Sequence, residues 1–168
     1  MITLDISSFS EGSSVEKRTV DFEEMDRGAQ EEFPNEIELL FEINKVGHEY
    51  FIKTHLQTQA RLTCDRCLEL FDFDIDDSVN IIFTSNTGLY TETEDDVYAI
   101  TDSSKQINVA DSVWQALQIT IPYKHVCSPD CKGLCSHCGT NLNTGTCDCS
   151  GSKVDPRWEA LKNIKFNS

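Results

Sequence analysis

The chain has 168 residues, 39% hydrophobic and 26% charged, a balance that fits a soluble globular domain with room for a small appended module. No stretch approaches the ~20 apolar residues of a membrane helix, and Met1-Ile-Thr-Leu-Asp-Ile-Ser7 has neither the basic start nor the apolar run of a secretory signal, so the expected location is cytoplasmic. The formal charge of −15 is uneven: Tyr123–Ser168 holds 6 Lys/Arg against 4 Asp/Glu, leaving 8 basic against 25 acidic residues in Met1–Pro122, which argues against broad non-specific binding to a phosphate backbone.

The first half reads as β-structure. Ile2, Leu4 and Ile6 alternate with polar residues, and Val15–Phe22 is a second, weaker strand. Residues 23–32 form an acidic connection with room for a helical turn. Ile37–Ile43 and Tyr50–Leu56 flank a hairpin turn near Gly47, and the second of these strands has the pattern to run on through Thr63 into Cys64. Phe71, Phe73 and Ile75 alternate with Asp72, Asp74 and Asp76, a strand with one wet face. Val79–Thr84 reads as a further strand, residues 85–96 as a mobile polar loop, and Val97–Ile100 as a short strand. A helix is expected from Asn108 as N-cap, with Asp111 in its first turn and Val109, Val113, Leu117 and Trp114 supplying the apolar stripe; it must stop before Pro122. Asp155-Pro156 opens a final helix. The fold class is α+β: an acidic, antiparallel β-rich body with one helix over 1–122, then a small cysteine-rich tail and a short C-terminal helix over 123–168.

Eight cysteines fall into pairs: Cys64/Cys67, Cys127/Cys131, Cys135/Cys138 and Cys147/Cys149. In a reducing compartment such spacing favours metal ligation over disulfides. Cys135-Ser-His-Cys138-Gly139 is the strongest signal. Two intervening residues let both thiolates face one ion about 2.3 Å away, and Gly139 lets the backbone fold under the second sulfur. A turn-rich excursion then returns Cys147 and Cys149, so the main site is these four sulfurs around Zn2+, although an iron–sulfur cluster uses the same ligand type. His137 is an alternative ligand. Cys64, Cys67, Cys127 and Cys131 form a candidate second site, or else remain thiols without metal. No catalytic set stands out: His48 and His55 have no nucleophile partner, and no Gly-rich phosphate loop is present, so no enzymatic activity is expected.

Cys64-Asp-Arg-Cys67-Leu68, Cys131-Lys-Gly-Leu-Cys135-Ser-His-Cys138-Gly-Thr-Asn-Leu-Asn143, Cys147-Asp-Cys149 and Asp155-Pro-Arg-Trp-Glu-Ala-Leu-Lys162 together resemble the YceD family. These are bacterial large ribosomal RNA subunit accumulation proteins with plastid relatives. Ser136 departs from the Pro usual at that place, and some members lack the cysteine-rich tail. The resemblance implies a non-enzymatic role in ribosome biogenesis, in the synthesis, processing or stability of 23S ribosomal RNA. Two routes are physically open. The acidic body can engage a basic ribosomal or assembly protein within a pre-ribosomal particle, which is the preferred route. Alternatively, the tail touches structured RNA through Lys124, Lys132, Lys153, Arg157, Lys162 and Lys165. The competing function class is a zinc-dependent thiol redox sensor or regulatory binding protein, with Cys64/Cys67 as its switch. A catalytic-zinc hydrolase would need an open coordination position that an all-cysteine site rarely leaves. Neither a membrane nor a small-molecule substrate is implied.

Overall fold

A computed structural model of the chain describes residues 1–25, 32–86, 96–149 and 157. The chain forms two compact units, Met1–Leu62 with Leu70–His125 and Thr63–Glu69 with Val126–Ser168.

In the first unit β1 (Thr3–Asp5) passes through a 3-10 turn, Ile6–Ser8, into β2 (Gly12–Val20). There follow β3 (Ile37–Val46), β4 (Glu49–Thr63), β5 (Leu70–Thr84), β6 (Val97–Ala99), β7 (Gln106–Asn108) and α1 (Ala110–Thr120). Five strands make one sheet in the order β2-β3-β4-β5-β6, while β1 and β7 pair separately. The β2/β3, β3/β4 and β1/β7 pairs are antiparallel, and β6 lies parallel to β5 with Val97 opposite Ile82. The architecture is α+β, strand-rich with one helix among the described residues.

Period-two alternation builds the core. β3 buries Ile37, Leu39, Phe41 and Ile43, β4 buries Ile52, Leu56, Ala60 and Leu62, and β5 buries Ile75, Ile81 and Phe83. Val113, Ala116 and Leu117 of α1, Leu4 of β1 with Ile2 just before it, and Ile107 belong to the same cluster. Phe22 and Phe33 stack at 4.8 Å between ring centroids, and Trp114 meets both edge-on at 5.5 and 6.0 Å. The opposite face of the sheet is polar: Gln57 donates to Asp76, Gln59 to Asp74 and Arg61 to Asp72 across neighbouring strands. At the β2 edge Arg18 pairs with Glu16 at 2.6 Å and donates to the Thr3 carbonyl, and such inward charges protect an edge strand from adding another chain.

Several elements differ from expectation. Phe71–Asp76 and Val79–Thr84 are one continuous β5, and at their join the Asp77 carboxylate accepts from the Thr120 hydroxyl of α1 and from the Ser78 N–H. The second strand is Gly12–Val20, and Phe22–Met25 forms a 3-10 turn instead of continuing it. Asn108 is not the N-cap. Pairing with Thr3 holds it extended at the end of β7, so Val109 takes the cap position while the Asn108 side chain accepts from the Ala110 N–H at 3.1 Å. The turn at Gly47 and the run of β4 to Thr63 are as expected. The mobile loop over 85–96 falls mostly on residues 87–95, which lie outside the described residues. The helix from Asp155 lies outside them too, apart from Arg157.

Candidate metal centres

The second unit brings all eight cysteines into two groups of four, Cys64/Cys67/Cys127/Cys131 and Cys135/Cys138/Cys147/Cys149, the sulfurs of each lying within 4.8 Å of one another. Each group pairs a Cys-x-x-Cys knuckle with two cysteines from further along the chain.

Both knuckles have the same backbone form. In the first, the Leu68 N–H returns to the Cys64 carbonyl at 2.9 Å; in the second, the Gly139 N–H returns to the Cys135 carbonyl at 2.9 Å. Closing that turn takes a left-handed residue after the second cysteine, and Gly139 (φ 73°) meets the need without a Cβ penalty, whereas Leu68 adopts φ 60° as a leucine. The first knuckle is the connection between β4 and β5, fastened by the Cys64 N–H to the Glu69 carbonyl at 2.9 Å. Arg66 ties it to the incoming chain. Its guanidinium donates to the Pro129 carbonyl at 3.2 Å and the Cys131 carbonyl at 3.0 Å, and its own carbonyl accepts from Leu134 N–H at 3.0 Å.

In the first tetrad Cys64, Cys67 and Cys131 are buried, and the separations Cys64–Cys131 and Cys67–Cys127 are 3.9 and 3.7 Å. Four sulfurs at 2.3 Å from one tetrahedral ion stand ~3.8 Å apart, so this spacing fits a single ion. A polynuclear cluster assigns its cysteines to different metal atoms and spreads them wider. All eight thiols are free, so disulfide bonding does not explain the grouping. In the second tetrad Thr140 Oγ1 lies 3.1 Å from Cys138 Sγ, and the backbone N–H of His137 lies 3.5 Å from Cys135 Sγ. His137 thus meets the site through its backbone, and its ring is not among the grouped ligand atoms.

The electrostatics of each tetrad are those of four acids sharing too small a space. Cys64 is lowered to about 6, first by the Cys127 N–H that donates to its sulfur, and Cys131 is lowered first by the Asn143 side chain. Cys127 is pushed up to about 12, by desolvation at its sulfur and then by the hydrogen bonds and charge of its neighbours, even though the residue as a whole is exposed. The second tetrad repeats the split. Cys138 falls to about 6 through Thr140, and Cys149 rises to about 12 beside the Cys138 sulfur. Two thiols in each group ionise readily and two resist, and a bound cation is what lets all four ionise together.

The sequence model of the YceD family, described as Large ribosomal RNA subunit accumulation protein YceD, matches residues 52–165. The chain belongs to the YceD family. The family match contains all eight cysteines. An uncharacterized protein of Mycobacterium leprae is 28% identical over 131 residues, which is 76% of this chain and 58% of that protein. The Large ribosomal RNA subunit accumulation protein YCED homolog 1, chloroplastic, of Arabidopsis thaliana is 31% identical over 61 residues (36% of this chain, 19% of that protein). Its Zea mays counterpart is 38% identical over 53 residues (31% and 18%). The chain thus spans between about a fifth and three fifths of the length of these curated relatives. No solved structure matches it.

Cysteine spacing marked the ligand candidates of this YceD-family chain but not their support. Arg66, Glu69, Asn141 and Asn143 carry no distinctive spacing. The one sequence hint was the Asn-Leu-Asn run following the second knuckle. Outside the tetrads, the His48 ring lies 3.3 Å from Asp102 and the His55 ring 3.7 Å from Glu42.

Proposed function

We propose that this chain is a non-enzymatic, zinc-binding factor that supports the synthesis, processing or stability of 23S ribosomal RNA in the cytoplasm. It acts by bringing its acidic body to a basic ribosomal or assembly protein within the pre-ribosomal particle. The observation that carries the reading is the family match over residues 52–165, which spans both tetrads. The chloroplast relatives, named as large ribosomal RNA subunit accumulation proteins, agree with it. Zinc is the ion of choice because tetrahedral four-sulfur coordination suits a d10 ion, and closed four-cysteine sites are structural rather than catalytic.

The protein-partner route rests on charge. The row Asp72, Asp74 and Asp76 stands on the polar face of the sheet, where Asp74 and Asp76 are held by glutamine amides. The test is co-sedimentation with large-subunit precursors. Asp74→Asn with Asp76→Asn should reduce it several-fold, and Lys124→Ala with Lys132→Ala should reduce it less. Association abolished by nuclease and by the lysine pair, but untouched by the aspartate pair, would refute the protein-partner route. Metal analysis of reduced protein prepared without chelators should find two zinc ions per chain, and protein devoid of metal would refute the zinc reading.

A further inference from the structure

The two tetrads share a short piece of backbone. Cys131 is a ligand candidate of the first and Cys135 of the second, and the segment between them is the rail on which the following loop folds back. Cys135 N–H donates to the Thr140 carbonyl at 2.8 Å, and Leu142 N–H to the Gly133 carbonyl at 2.9 Å. Leu134 and Asn141 form an antiparallel bridge. The loop therefore begins at Cys138, a ligand candidate of the second tetrad, runs beside the chain toward the first tetrad, and returns to Cys147.

Asn143 stands at the far end of that run. Its Oδ1 accepts from the Lys132 N–H at 2.8 Å, and its Nδ2 donates to Cys131 Sγ at 3.3 Å and to Asn141 Oδ1 at 2.9 Å. Every polar position of the carboxamide is used, so its orientation is fixed: turned over, it would set oxygen against a thiolate and nitrogen against an N–H. Asn141 is itself anchored, accepting from the Asn143 N–H at 3.0 Å and donating to Glu69 in the first knuckle at 3.3 Å. A residue from the loop of one tetrad thus supplies a hydrogen bond to a sulfur of the other.

We propose that Asn143 is a positioning residue that couples the two metal sites, so that an ion in the second tetrad raises the metal affinity of the first. The inference rests on reading both tetrads as metal sites. An N–H donated to a thiolate stabilises the charged ligand, and loss of such an outer partner typically costs 10–100-fold in metal affinity. The second ion supplies the order: it ties Cys135 and Cys138 to Cys147 and Cys149, closing the loop whose middle carries Asn143. Without it, the loop is held by its backbone bonds alone and presents the donor for a smaller fraction of the time. By linkage the effect is reciprocal, and the first ion raises the affinity of the second equally.

The experiment uses the full chain, loaded with cadmium against a competing chelator and read by cadmium NMR, which gives one signal per site. Cys147→Ser should weaken metal binding at the first tetrad about 10-fold, equivalent to ~1.4 kcal/mol of coupling. Asn143→Asp should weaken it by a similar factor. Aspartate keeps the oxygen that accepts from Lys132 N–H but loses both Nδ2 bonds. Asn141→Ala, which removes the Asn141 Oδ1 contact and leaves the Cys131 Sγ bond, is the control: affinity at the first tetrad falling as far there as in Asn143→Asp would mean that Asn143 only holds the loop. In the Asn143→Asp background Cys147→Ser should have no further effect on the first tetrad. Affinities that are independent, with additive single effects, would overturn the coupling while leaving the metal reading intact. A chain that takes up no metal in either tetrad would overturn both.

Discussion

Two glycines of the metal-binding unit have nearly the same backbone conformation, φ 72° at Gly133 and 73° at Gly139, and differ in what a side chain there would meet. A Cβ on Gly139 has nothing within 4 Å, whereas a Cβ on Gly133 would lie 2.9 Å from the Arg66 carbonyl oxygen. Gly139→Ala therefore carries only the left-handed backbone penalty, ~1–2 kcal/mol, partly offset by ~0.4–1 kcal/mol from the stiffer unfolded chain, for a net loss of about 1 kcal/mol. Gly133→Ala carries the same net loss and must also displace a carbonyl that accepts from Leu134 N–H at 3.0 Å. Overpacking of this kind costs ~1–3 kcal/mol and the weakened hydrogen bond ~0.5–1.5 kcal/mol, which brings the total to about 2.5–5.5 kcal/mol. With zinc bound as proposed, folding of so small a unit is linked to its metal and the loss appears as zinc affinity: ~5-fold for Gly139→Ala and ~70-fold or more for Gly133→Ala. Competition with a chromophoric chelator measures both, and amide exchange across Cys131–Cys149 locates the change. Equal effects at the two positions would refute the claim that contact between Gly133 and the Arg66 backbone holds the first knuckle to the tail.

Two further outcomes follow from the sheet unit. Thr54 is fully buried and its hydroxyl has no hydrogen-bond partner among the described residues, so Thr54→Val should raise the thermal stability of the sheet unit by ~1–3 kcal/mol, and a fall would mean the hydroxyl is satisfied. The Asp77 carboxyl is held below its usual value, first by the Thr120 hydroxyl and then by the Ser78 N–H. A depressed folded pKa gives stability that is fully present above the unfolded value of ~3.9 and lost as pH falls through the folded one. The stability gap between wild type and Thr120→Val should therefore be flat above about pH 5 and shrink in acid; a gap that widens in acid would contradict the assignment.

The strands were legible in the sequence wherever one face was wet, because alternation such as Phe71-Asp72-Phe73-Asp74 records the two environments directly. It fell short between Asp76 and Val79, where the apolar alternation lapses and two expected strands are one. There the Asp77 carboxylate accepts from the Thr120 hydroxyl, a neighbour 43 residues away. Asn108 misled for another reason: its cap chemistry is present, but strand pairing to Thr3 shifted the helix start by one position. For the metal centres, knuckle spacing named the cysteines. The contacts of Arg66, Gly133 and Asn143 depend on how a distant knuckle and a local loop meet, which no local pattern encodes.

The metal centres also bear on which partner the chain attracts. Four thiolates around a divalent ion leave a formal charge of about −2 per site. The cysteine-rich stretch from Tyr123 to Ser168 has only +2 from its ionisable Lys, Arg, Asp and Glu side chains. The second tetrad, filled by a divalent ion, cancels that, so the tail keeps no net positive charge to set against the acidity of the remaining chain. On the proposed function, salt-sensitive binding then comes mainly from cations on the partner, not from cations here. That is why the partner we propose is a basic protein. Loss of zinc leaves the tail's charge nearly unchanged, because two thiols in each group ionise readily without it, so on net charge alone the stripped and loaded chains should bind naked RNA equally weakly. A metal-loaded chain that binds naked RNA more tightly than the stripped chain would show that the tail contacts RNA through an ordered surface, and that shape rather than net charge governs the encounter.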